Sequence, residues 1–476
     1  MFRHTKIVAT VGPASAEEEI LSALLEAGVS VFRLNFSHGN LQDKAILIKR
    51  IRELSRQRLN AVAIMGDLQG PKIRVNMFRN GSMKLTAGTE VTITSRDILG
   101  ENGLISTTYK ELPQDVHPGD QILLDDGLME LEVLDVDNSD VRCKVRYGGL
   151  LKDRKGINLP GVDISAPSLT EKDRQDLHFC IDQKIDYLAL SFVRRSTEVL
   201  ELQALLKQNE SQLKVISKIE KPEAVNNFDA ILKVSDGIMV ARGDLGVEIQ
   251  PEKVPLIQKD IIRKCNLAGK PVITATQMLE SMINNPRPTR AETSDVANAI
   301  LDGTDAIMLS AETASGQYPV EAVLLMDRIA KDIEANSTLR DKNISPAGDN
   351  KGFFNLSESI GHAASQICIQ VGAKAILAFT QTGNTAALVA KYRPAVPIYA
   401  VTPSLTVRRQ LALLSGVQSL LVDSQRDTES QIKWVEKRVL EAGVLQKGDV
   451  VVITMGSPIS TLGTTNLLKV HQLGSE

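Results

Sequence analysis

Charged and hydroxyl residues follow directly after several apolar runs of this sequence. The clearest example is Lys218-Ile219-Glu220, and others are residues 33–37, Arg242-Gly243-Asp244 and Ser310-Ala311-Glu312. Side chains two residues apart share one face of a β-strand, so each group is expected to project its polar atoms together. Several strands with such ends predict a ring of cations and carboxylates at one end of a barrel. That arrangement suits a metal ion and a highly charged phosphorylated substrate.

Glu220 and Asp244 are the predicted ligands of a hard divalent cation. Mg²⁺ takes oxygen ligands, commonly one or two carboxylates, with substrate phosphate and water completing the octahedron. Lys218 and Arg33 are the predicted phosphate contacts, because ammonium and guanidinium groups both bind phosphate oxygens. The alternative is that each of these groups only forms a salt bridge with a neighbouring charge, such as that of Arg242.

Further oxygen atoms are predicted close to Arg33. Asn35, Ser37 and Asp67 offer neutral and anionic oxygens that could hold a monovalent cation or orient a phosphate. His38 follows them at the start of a turn into a helix, whose N-terminus favours an anion. A histidine there is more often a packing or capping residue than a catalytic base.

Two hydroxyl groups and one loop complete the candidate residues. Thr276 and Ser310 fall at predicted strand ends, where a hydroxyl positions a water, relays a proton or only satisfies a backbone group. The loop Thr380-Gln381-Thr382-Gly383-Asn384-Thr385 connects a predicted strand to a helix. Its hydroxyls and backbone donors could cradle phosphate, although short hydroxyl-rich loops are common without that role.

Composition excludes several classes of partner. The chain has 476 residues, of which 43% are hydrophobic and 24% charged, and a formal net charge of −3. No apolar run reaches the roughly 18 residues of a transmembrane helix, and the net charge gives no attraction to nucleic acid or an anionic membrane. The cysteines are far apart and predict reduced packing residues of a cytoplasmic protein: Cys143, Cys180, Cys265 and Cys368.

Apolar strand runs alternate with amphipathic stretches in two parts of the chain. Residues 1–69 hold three predicted strands and residues 167–340 hold five. These strands are Ile7–Val11, Val31–Ser37, Ala61–Asp67, Tyr187–Phe192, Lys214–Glu220, Gly237–Ala241, Pro271–Thr276 and Ala306–Ser310. Eight strands with helices between them are typical of a (β/α)8 TIM barrel of about 250 residues, whose active site lies at the carboxyl ends of the strands.

The remaining sequence predicts two further domains. Residues 70–166 hold short alternating segments broken by Gly, Asp and Asn, which indicate a small inserted β-domain. Asp341–Gly352 is predicted to be a linker, and residues 341–476 are predicted to form a C-terminal three-layer α/β domain with a regulatory role. The strands of that last domain are predicted at Ala375–Phe379, Ile398–Val401, Ser419–Val422, Val450–Thr454 and Leu468–His471.

Taken together, these segments resemble the pyruvate kinase family along nearly the whole chain. The motifs that carry the resemblance are KIVATVGP (Lys6–Pro13), RLNFSHG (Arg33–Gly39), GDLQGPKIR (Gly66–Arg74), SKIE (Ser217–Glu220), MVARGDLGVE (Met239–Glu248), TATQMLESM (Thr274–Met282), RPTRAETSDVANA (Arg287–Ala299) and DGTDAIMLSAETASGQY (Asp302–Tyr318). The resemblance implies a barrel, an inserted β-barrel domain that closes as a lid, a regulatory C-terminal domain and a homotetramer. The start of the chain close to its first strand suggests a bacterial-type member.

The resemblance implies the last step of glycolysis as the reaction. A phosphoryl group passes from phosphoenolpyruvate to ADP, and the enolpyruvate left behind is protonated to pyruvate. Glu220 and Asp244 are then expected to bind Mg²⁺, with Mn²⁺ as a possible substitute, while Lys218 and Arg33 contact the transferring group. A second Mg²⁺ is expected to arrive with ADP. Two dications and several bases offset the repulsion between two phosphorylated anions.

Other matched positions receive roles by the same resemblance. The backbone of Arg242-Gly243-Asp244 is expected to hold the substrate carboxylate, and Thr276 to lie near the carbon that is protonated. Ser310 and Glu312 are expected to belong to the surroundings of the proton relay. The nucleotide side is expected to be formed by Asn35, His38, Arg74 and Lys172.

One departure from the family pattern concerns the monovalent cation. Many members need K⁺ and carry Glu five residues after the strand-end Asp, within D-T-K-G-P-E, whereas this chain has Asp67-Leu68-Gln69-Gly70-Pro71-Lys72. A lysine ammonium carries the same charge as K⁺, so Lys72 is predicted to replace the ion and activity not to need K⁺. The family's K⁺ ligands, Asn35, Ser37 and Asp67, remain for structure or charge balance. The alternative is that Lys72 points to solvent near the hinge of the inserted domain.

A second departure concerns regulation. In the family, the loop that matches Thr380–Thr385 binds an effector phosphate, and some members have a Lys or Arg where this chain has Asn384. Phosphate binding through Thr380, Thr382, Gly383, Asn384 and Thr385 is still expected, with one charge fewer. The effector could be a sugar monophosphate, a nucleotide or fructose 1,6-bisphosphate, and the sequence does not choose between them.

Two other functions fit parts of the pattern. Another Mg²⁺-dependent barrel enzyme that handles enolates, such as an aldolase or a phosphoenolpyruvate-using synthase, could share the carboxylates but has no need of a lid or a nucleotide subsite. A sensor that binds sugar phosphate through the C-terminal domain and has lost turnover predicts decay among Lys218, Glu220, Asp244 and Thr276. All four are present.

Overall fold

The structure is a computed structural model that describes residues 2–56, 58, 61–336, 356–423, 427–456 and 465–475. The predicted linker Asp341–Gly352 lies outside these described residues. Within them, no helix has both the length and the apolar character needed to cross a membrane.

The first part of the barrel has the alternation of strands and helices that the sequence predicts. Every residue of the first strand is buried, because parallel strands of a barrel are covered on both faces. The first helix buries Leu21, Leu24 and Leu25, at the spacing of one helix face. The elements are β1 (Lys6–Val11), α1 (Glu18–Glu26), β2 (Val31–Asn35), α2 (Leu41–Arg56) and β3 (Ala63–Asp67).

An all-β domain is inserted after β3, as predicted. Its elements are β4 (Ser82–Leu85), β5 (Glu90–Thr94), β6 (Leu104–Ser106), α3 (Leu112–Asp115), β7 (Gln121–Leu124), β8 (Met129–Asp137), β9 (Asp140–Tyr147), β10 (Gly149–Lys152) and β11 (Ile157–Asn158). They form a six-stranded sheet, in the order β11-β7-β8-β9-β5-β6, and a two-stranded sheet of β10 and β4. Alternate residues of β7 and β9 are buried in one core that is separate from the barrel core. We call this unit the inserted domain.

The chain then returns to complete the barrel. The elements are α4 (Glu171–Asp182), β12 (Tyr187–Leu190), α5 (Ser196–Gln208), β13 (Lys214–Ile219), α6 (Pro222–Asn226), α7 (Phe228–Val234), β14 (Gly237–Ala241), α8 (Arg242–Glu248), α9 (Val254–Ala268), β15 (Val272–Ala275), α10 (Arg290–Leu301), β16 (Ala306–Leu309), α11 (Ala311–Ala314) and α12 (Pro319–Ala335). The strand order is β1-β16-β15-β14-β13-β12-β3-β2, closed and parallel throughout. The predicted eight-stranded barrel is therefore confirmed.

Several of the predicted strand ends are wrong in detail. β2 ends at Asn35 instead of Ser37, and β12 ends at Leu190 instead of Phe192. Arg242-Gly243-Asp244 opens α8, and Ser310-Ala311-Glu312 leads into α11, so neither triplet continues its strand. The period of two therefore does not apply to them. Lys218 and Glu220 keep the strand pattern, because β13 extends to Ile219.

The C-terminal domain is a parallel sheet with one antiparallel edge. Its elements are α13 (Leu356–Gln370), β17 (Ala375–Phe379), α14 (Asn384–Lys391), β18 (Ile398–Thr402), α15 (Leu405–Gln410), β19 (Val417–Leu421), α16 (Thr428–Glu441), β20 (Val450–Met455) and β21 (Leu467–Gln472). The strand order is β19-β18-β17-β20-β21, and β21 runs antiparallel to β20. Separate cores pack on the two faces of this sheet, which is the predicted three-layer arrangement.

Polar contacts join the C-terminal domain to the amino-terminal end of the barrel. Arg393 donates to Asp305 Oδ2 at 3.0 Å and to the carbonyl of Gly303 at 2.9 Å. Lys6 of β1 donates from its Nζ to the carbonyl of Val417 at 2.6 Å. The opposite end of the barrel, where the strands end, is left for the inserted domain.

Candidate active site

A cluster of cations and carboxylates lies at the carboxyl ends of β2, β3, β12 and β13. Arg33 Nε donates to Asp67 Oδ2 at 2.6 Å. Lys218 Nζ donates to Ser191 Oγ at 2.7 Å and lies 3.5 Å from Asp67 Oδ1 and 3.2 Å from Glu220 Oε2. Neighbouring strands bring these residues together, because parallel strands end at the same edge of the barrel.

The cluster is almost completely removed from water, and its charges set one another's pKa values. Burial alone raises the pKa of Asp67, but the charges of Arg33 and Lys218 outweigh it and hold that pKa below its ordinary value. Burial lowers the pKa of Lys218, and the three carboxylates of Asp67, Glu220 and Asp244 more than reverse that effect and raise it. Lys218 is therefore a fixed cation at the barrel mouth.

Glu220 has one oxygen that is satisfied and one that is not. Its Oε1 accepts the backbone N–H of Phe192 at 2.6 Å. Its Oε2 is buried, has no hydrogen-bond partner, and meets Lys218 only as an ion pair. Burial, opposed by Lys218 and helped by the charge of Asp244, raises the pKa of Glu220. A buried carboxylate oxygen without a hydrogen bond, beside a second carboxylate, fits a hard cation.

Few carboxylates lie at the proposed metal position beside Glu220. Among the described ranges, no group of three or more His, Cys, Asp or Glu side chains is arranged to hold a metal ion. A cation at Glu220 and Asp244 would therefore take most of its ligands from substrate and water, as Mg²⁺ commonly does.

A cleft of about 1120 Å³ opens beside the cluster, between the barrel and the inserted domain. From the barrel it is lined by Asp244, Thr276 and Ser310, and from the inserted side by Lys72 and Asp126. Predicted strand-end residues from three different strands thus face one cavity.

Thr276 has an unusual backbone conformation at the edge of this cleft. Its φ is +70° and that of Gln277 is +53°, a region that costs energy for residues other than glycine. Thr276 Oγ1 accepts the backbone N–H of Gly243 at 2.7 Å and donates to the carbonyl of Ala275 at 2.6 Å. The strain fixes the hydroxyl against the first turn of α8, which carries Asp244.

The side chain of Arg242 is used for structure. Its Nη1 donates to Asp295 Oδ1 at 2.7 Å, its Nη2 to the carbonyl of Thr276 at 2.8 Å and its Nε to that of Ala275 at 3.2 Å. These contacts engage all three guanidinium nitrogens of Arg242 with the protein itself.

Glu312 also has a structural environment. Its two oxygens accept the backbone N–H groups of Leu279, at 3.1 Å, and Ser310, at 2.7 Å. Burial raises the pKa of Glu312, and these hydrogen bonds oppose the rise. Its carboxylate therefore orders the strand end that presents the Ser310 hydroxyl.

The residues expected on the nucleotide side lie around the end of β2. Asn35 Oδ1 accepts the N–H of Ser37 at 3.0 Å, which closes a tight turn. Lys172 Nζ donates to the carbonyl of Phe36 at 2.8 Å and to Asp176 Oδ2 at 2.5 Å. These contacts position the segment that carries His38.

His38 is surrounded by cations. Burial and then the charges of Lys72, Arg74, Lys44 and Arg33 lower the pKa of His38. A neutral imidazole among four cations marks a region of positive potential that suits a polyphosphate. Lys72 itself is exposed at the cleft.

Comparisons with known proteins agree with this geometry. A family model described as pyruvate kinase, barrel domain, matches residues 2–323, and one described as pyruvate kinase, alpha/beta domain, matches residues 358–471. The chain belongs to the pyruvate kinase family. The resemblance carried by its motifs is thereby confirmed, and with it an enzyme that transfers a phosphoryl group.

Individual pyruvate kinases match almost the whole chain. Those of Sporosarcina psychrophila and Bacillus licheniformis are each 48% identical over 475 residues, which is 99% of this chain and 81% of theirs. A pyruvate kinase of Staphylococcus aureus is 46% identical over 476 residues. A crystal structure of a pyruvate kinase from Cryptosporidium parvum has a TM-score of 0.92 at 39% identity, covering 99% of this chain and 96% of that one.

The loop expected to bind an effector in this pyruvate kinase family member is preorganised by hydrogen bonds. Thr380 Oγ1 accepts the N–H of Gly383 at 2.9 Å, and Gly383 has a φ of +94° just before α14. Thr385 is buried, and its hydroxyl lies 2.8 Å from that of Thr465. Thr382 and Asn384 are exposed.

Two residues of the site were missed by sequence reasoning. Ser191 accepts from Lys218 and donates to the carbonyl of Leu68 at 2.7 Å. Phe192 has a φ of +56° and holds Glu220 through its backbone. The signal was present, because Ser191-Phe192 follows an apolar run like the other strand-end pairs, but both residues were assigned to the strand itself.

Proposed function

We propose that this protein transfers the phosphoryl group of phosphoenolpyruvate to ADP, giving ATP and pyruvate. The observation that supports it best is Lys218, a buried cation held between Asp67 and Glu220 at the carboxyl end of the barrel strands. In the reaction, the bond between the enol oxygen and phosphorus breaks and the β-phosphate oxygen of ADP bonds to phosphorus. The enolpyruvate that leaves then takes one proton at its methylene carbon.

Lys218 and Arg33 neutralise the charge on the phosphoryl group while it moves. Such fixed cations lower the barrier most where water is excluded, as around this cluster. The backbone amides at the start of α8 hold the substrate carboxylate, and the hydroxyl of Thr276 orients the methylene carbon for protonation. Ser310, ordered by Glu312, belongs to the path by which the proton arrives.

Glu220 and Asp244 would hold Mg²⁺, or Mn²⁺ in its place. The ion, when bound, supplies positive charge that neutralises the oxygens of the enolate and the phosphate. The nucleotide would bring a second divalent ion with it.

The nucleotide binds on the side of Asn35, His38, Arg74 and Lys172. The positive potential around His38 supports this placement. The inserted domain closes over the bound nucleotide as a lid, which excludes water from the transfer.

Lys72 replaces the monovalent cation in this proposal. It lines the cleft from the connection to the inserted domain, and its charge acts on His38 together with that of Arg74. Asn35, Ser37 and Asp67 then serve the local turn and the ion pair with Arg33.

Regulation and assembly are further parts of the proposal. The loop Thr380–Thr385 binds the phosphate of a sugar-phosphate or nucleotide effector through hydroxyls and amides at the start of α14. Four copies of the chain assemble into a homotetramer.

The deciding experiment measures pyruvate formation from phosphoenolpyruvate and ADP with Mg²⁺, first without K⁺ and then with K⁺ added. Full activity without K⁺ supports both the reaction and the role of Lys72. Activity only with K⁺ keeps the reaction and rejects that role. No activity under either condition, with and without sugar-phosphate and nucleotide effectors, rejects the reaction.

A further inference from the structure

A buried carboxylate joins the inserted domain to the barrel. Asn158, the last residue of β11, donates its side-chain amide to Glu248 Oε1 at 2.9 Å. Glu248 ends α8 of the barrel, and only 1% of its side chain is exposed. The same oxygen accepts from Lys221 Nζ at 2.6 Å. A neutral donor of one domain thus reaches an ion pair that belongs to the other.

Both members of that ion pair adjoin the proposed metal ligands. Lys221 directly follows Glu220, and Glu248 lies one helical turn after Asp244 on α8. Lys221 Nζ also lies 5.7 Å from the centre of the Phe192 ring. The backbone of Phe192 holds Glu220. A movement of the inserted domain would therefore displace the segments that carry the carboxylates of Glu220 and Asp244.

The two connections to the inserted domain reach the same region. The first connection contains Gly70, and a Cβ atom there would lie 2.6 Å from the Phe192 ring. The second is held by Arg194, which donates to the carbonyls of Ile164 and Ala166. Residues 192–194 thus contact both connections.

The charge distribution makes the contact between Asn158 and Glu248 easy to open. When Asn158 leaves, Glu248 stays paired with Lys221, so opening leaves no unpaired buried charge. When Asn158 returns, its hydrogen bond to a charged acceptor is stronger than one to a neutral group. Glu248 Oε2 has no hydrogen-bond partner, so the carboxylate depends on these contacts.

We propose that Asn158 and Glu248 form a latch that holds the inserted domain closed over the barrel mouth. Glu248 is then a positioning residue. When the inserted domain closes, the contact of Glu248 with Asn158 holds α8 in place, and its ion pair with Lys221 holds the end of β13. This inference rests on the proposed function, because it assigns the closure to the phosphoryl-transfer step.

Three variants test the latch. Asn158→Ala removes the donor and leaves the pair of Glu248 and Lys221 intact. Asn158→Asp places a carboxylate against a carboxylate. The double variant Asn158→Asp with Glu248→Gln exchanges donor and acceptor, and it keeps one carboxylate close to Lys221, because Asn158 and Lys221 contact the same oxygen of Glu248. The matched control is Asn138→Ala, which changes an exposed asparagine in the turn between β8 and β9.

Closure is measured by the distance between two spin labels on otherwise complete protein, with Mg²⁺ and phosphoenolpyruvate. The labels are attached at Thr86→Cys in the inserted domain and Lys253→Cys on the barrel, both exposed positions. The native cysteines are buried, which favours selective labelling. Steady-state kinetics on the same variants separate kcat from KM, and circular dichroism checks folding.

The latch predicts longer label distances and about a tenfold lower kcat/KM for Asn158→Ala, the size of one hydrogen bond to a charged group. Asn158→Asp should lower kcat/KM further, and the double variant should recover most of the lost kcat/KM. Unchanged distances in Asn158→Ala, or equal losses in Asn138→Ala, would overturn the latch. If the unaltered protein forms no pyruvate, the proposed function fails, and the label distances alone still decide whether the contact closes the domain.

Discussion

At the scale of single residues, the site depends on charges that are buried and mutually paired. Lys218 touches one hydroxyl and two carboxylates, and 12% of its side chain is exposed. A cation held in this way needs no reorganisation when a phosphoryl group arrives.

Lys218→Met is expected to lower turnover by about a thousandfold or more, because it removes the fixed charge at the phosphoryl group. The matched control is Lys214→Met, at the other end of β13, where the ammonium pairs with Asp236 on the surface. Pyruvate formation and thermal unfolding should be measured for both. Near-normal turnover of Lys218→Met would remove its assigned role.

Lys72→Glu is expected to create a requirement for K⁺, since it replaces a tethered cation by a carboxylate that can bind one. Activity without K⁺ should fall, and added K⁺ should restore much of it. Lys84→Glu, on an exposed strand of the inserted domain, serves as the control for a change of charge. If the activity of Lys72→Glu does not depend on K⁺, or if the variant is equally inactive with and without K⁺, the proposal that Lys72 replaces the ion is wrong.

At the scale of elements, the candidate site residues lie at the ends of strands, and short helices such as α8 fix their positions. The turn at Thr276–Gln277 and the start of α8 are tied by the hydrogen bond from Gly243 to Thr276. The period of two correctly paired Lys218 with Glu220 but failed at Arg242–Asp244, because the chain enters α8 directly after β14. Local sequence does not show which strand stops and which continues.

Gly70→Ala is expected to lower the free energy of unfolding by about 1–3 kcal/mol and to alter turnover. Gly70 has a φ of +66°, and an added Cβ would lie 2.6 Å from the Phe192 ring. The control is Gly161→Ala, which has a φ of +75° but nothing within 4 Å. Urea unfolding compares the two, and an equal loss in both would show that the ring contact is unimportant.

At the scale of the whole molecule, apolar and polar contacts together hold the C-terminal domain to the barrel. Ala412 and Leu413 belong to the same buried apolar cluster as Val8 and Val31 of the barrel strands. Arg393 has a φ of +49° and contacts Asp305, Asn266 and the carbonyl of Gly303. Because Arg393 follows α14, it connects the proposed effector loop with the start of β16.

Arg393→Ala is expected to destabilise the protein by about 2–4 kcal/mol, because the carboxylate of Asp305 stays buried and loses its cation. Calorimetry should show the C-terminal domain and the barrel unfolding more independently. Arg438→Ala, an exposed arginine on α16, is the control. A single unshifted transition in Arg393→Ala would mean that other contacts hold the domains together.

Lys6 predicts a dependence of stability on pH. Burial, and then the charge of Arg3, lower the pKa of Lys6 from 10.5 to about 7, while Glu334 and Asp305 oppose this. Between these two values the unfolded chain keeps the proton that the folded chain has lost, so this residue makes stability rise with pH across that window. Lys6→Met should flatten the rise in urea unfolding series from pH 7 to 10. An unchanged slope would show that Lys6 is not its source.

The barrel, the inserted domain, the C-terminal domain and most of the charged residues of the candidate site could be predicted from the amino-acid sequence. This was possible because buried parallel strands are continuous apolar runs, and because the charged and hydroxyl residues directly after such runs stand out in the sequence. The pairing of Arg33 with Asp67, the clamp on Arg242 and the hydrogen bonds that occupy Glu312 were decided only by the tertiary structure. So were Ser191, Phe192 and the contact between Asn158 and Glu248. These depend on residues far apart in the chain, whose meeting is fixed by the closure of the barrel and the seating of the inserted domain upon it.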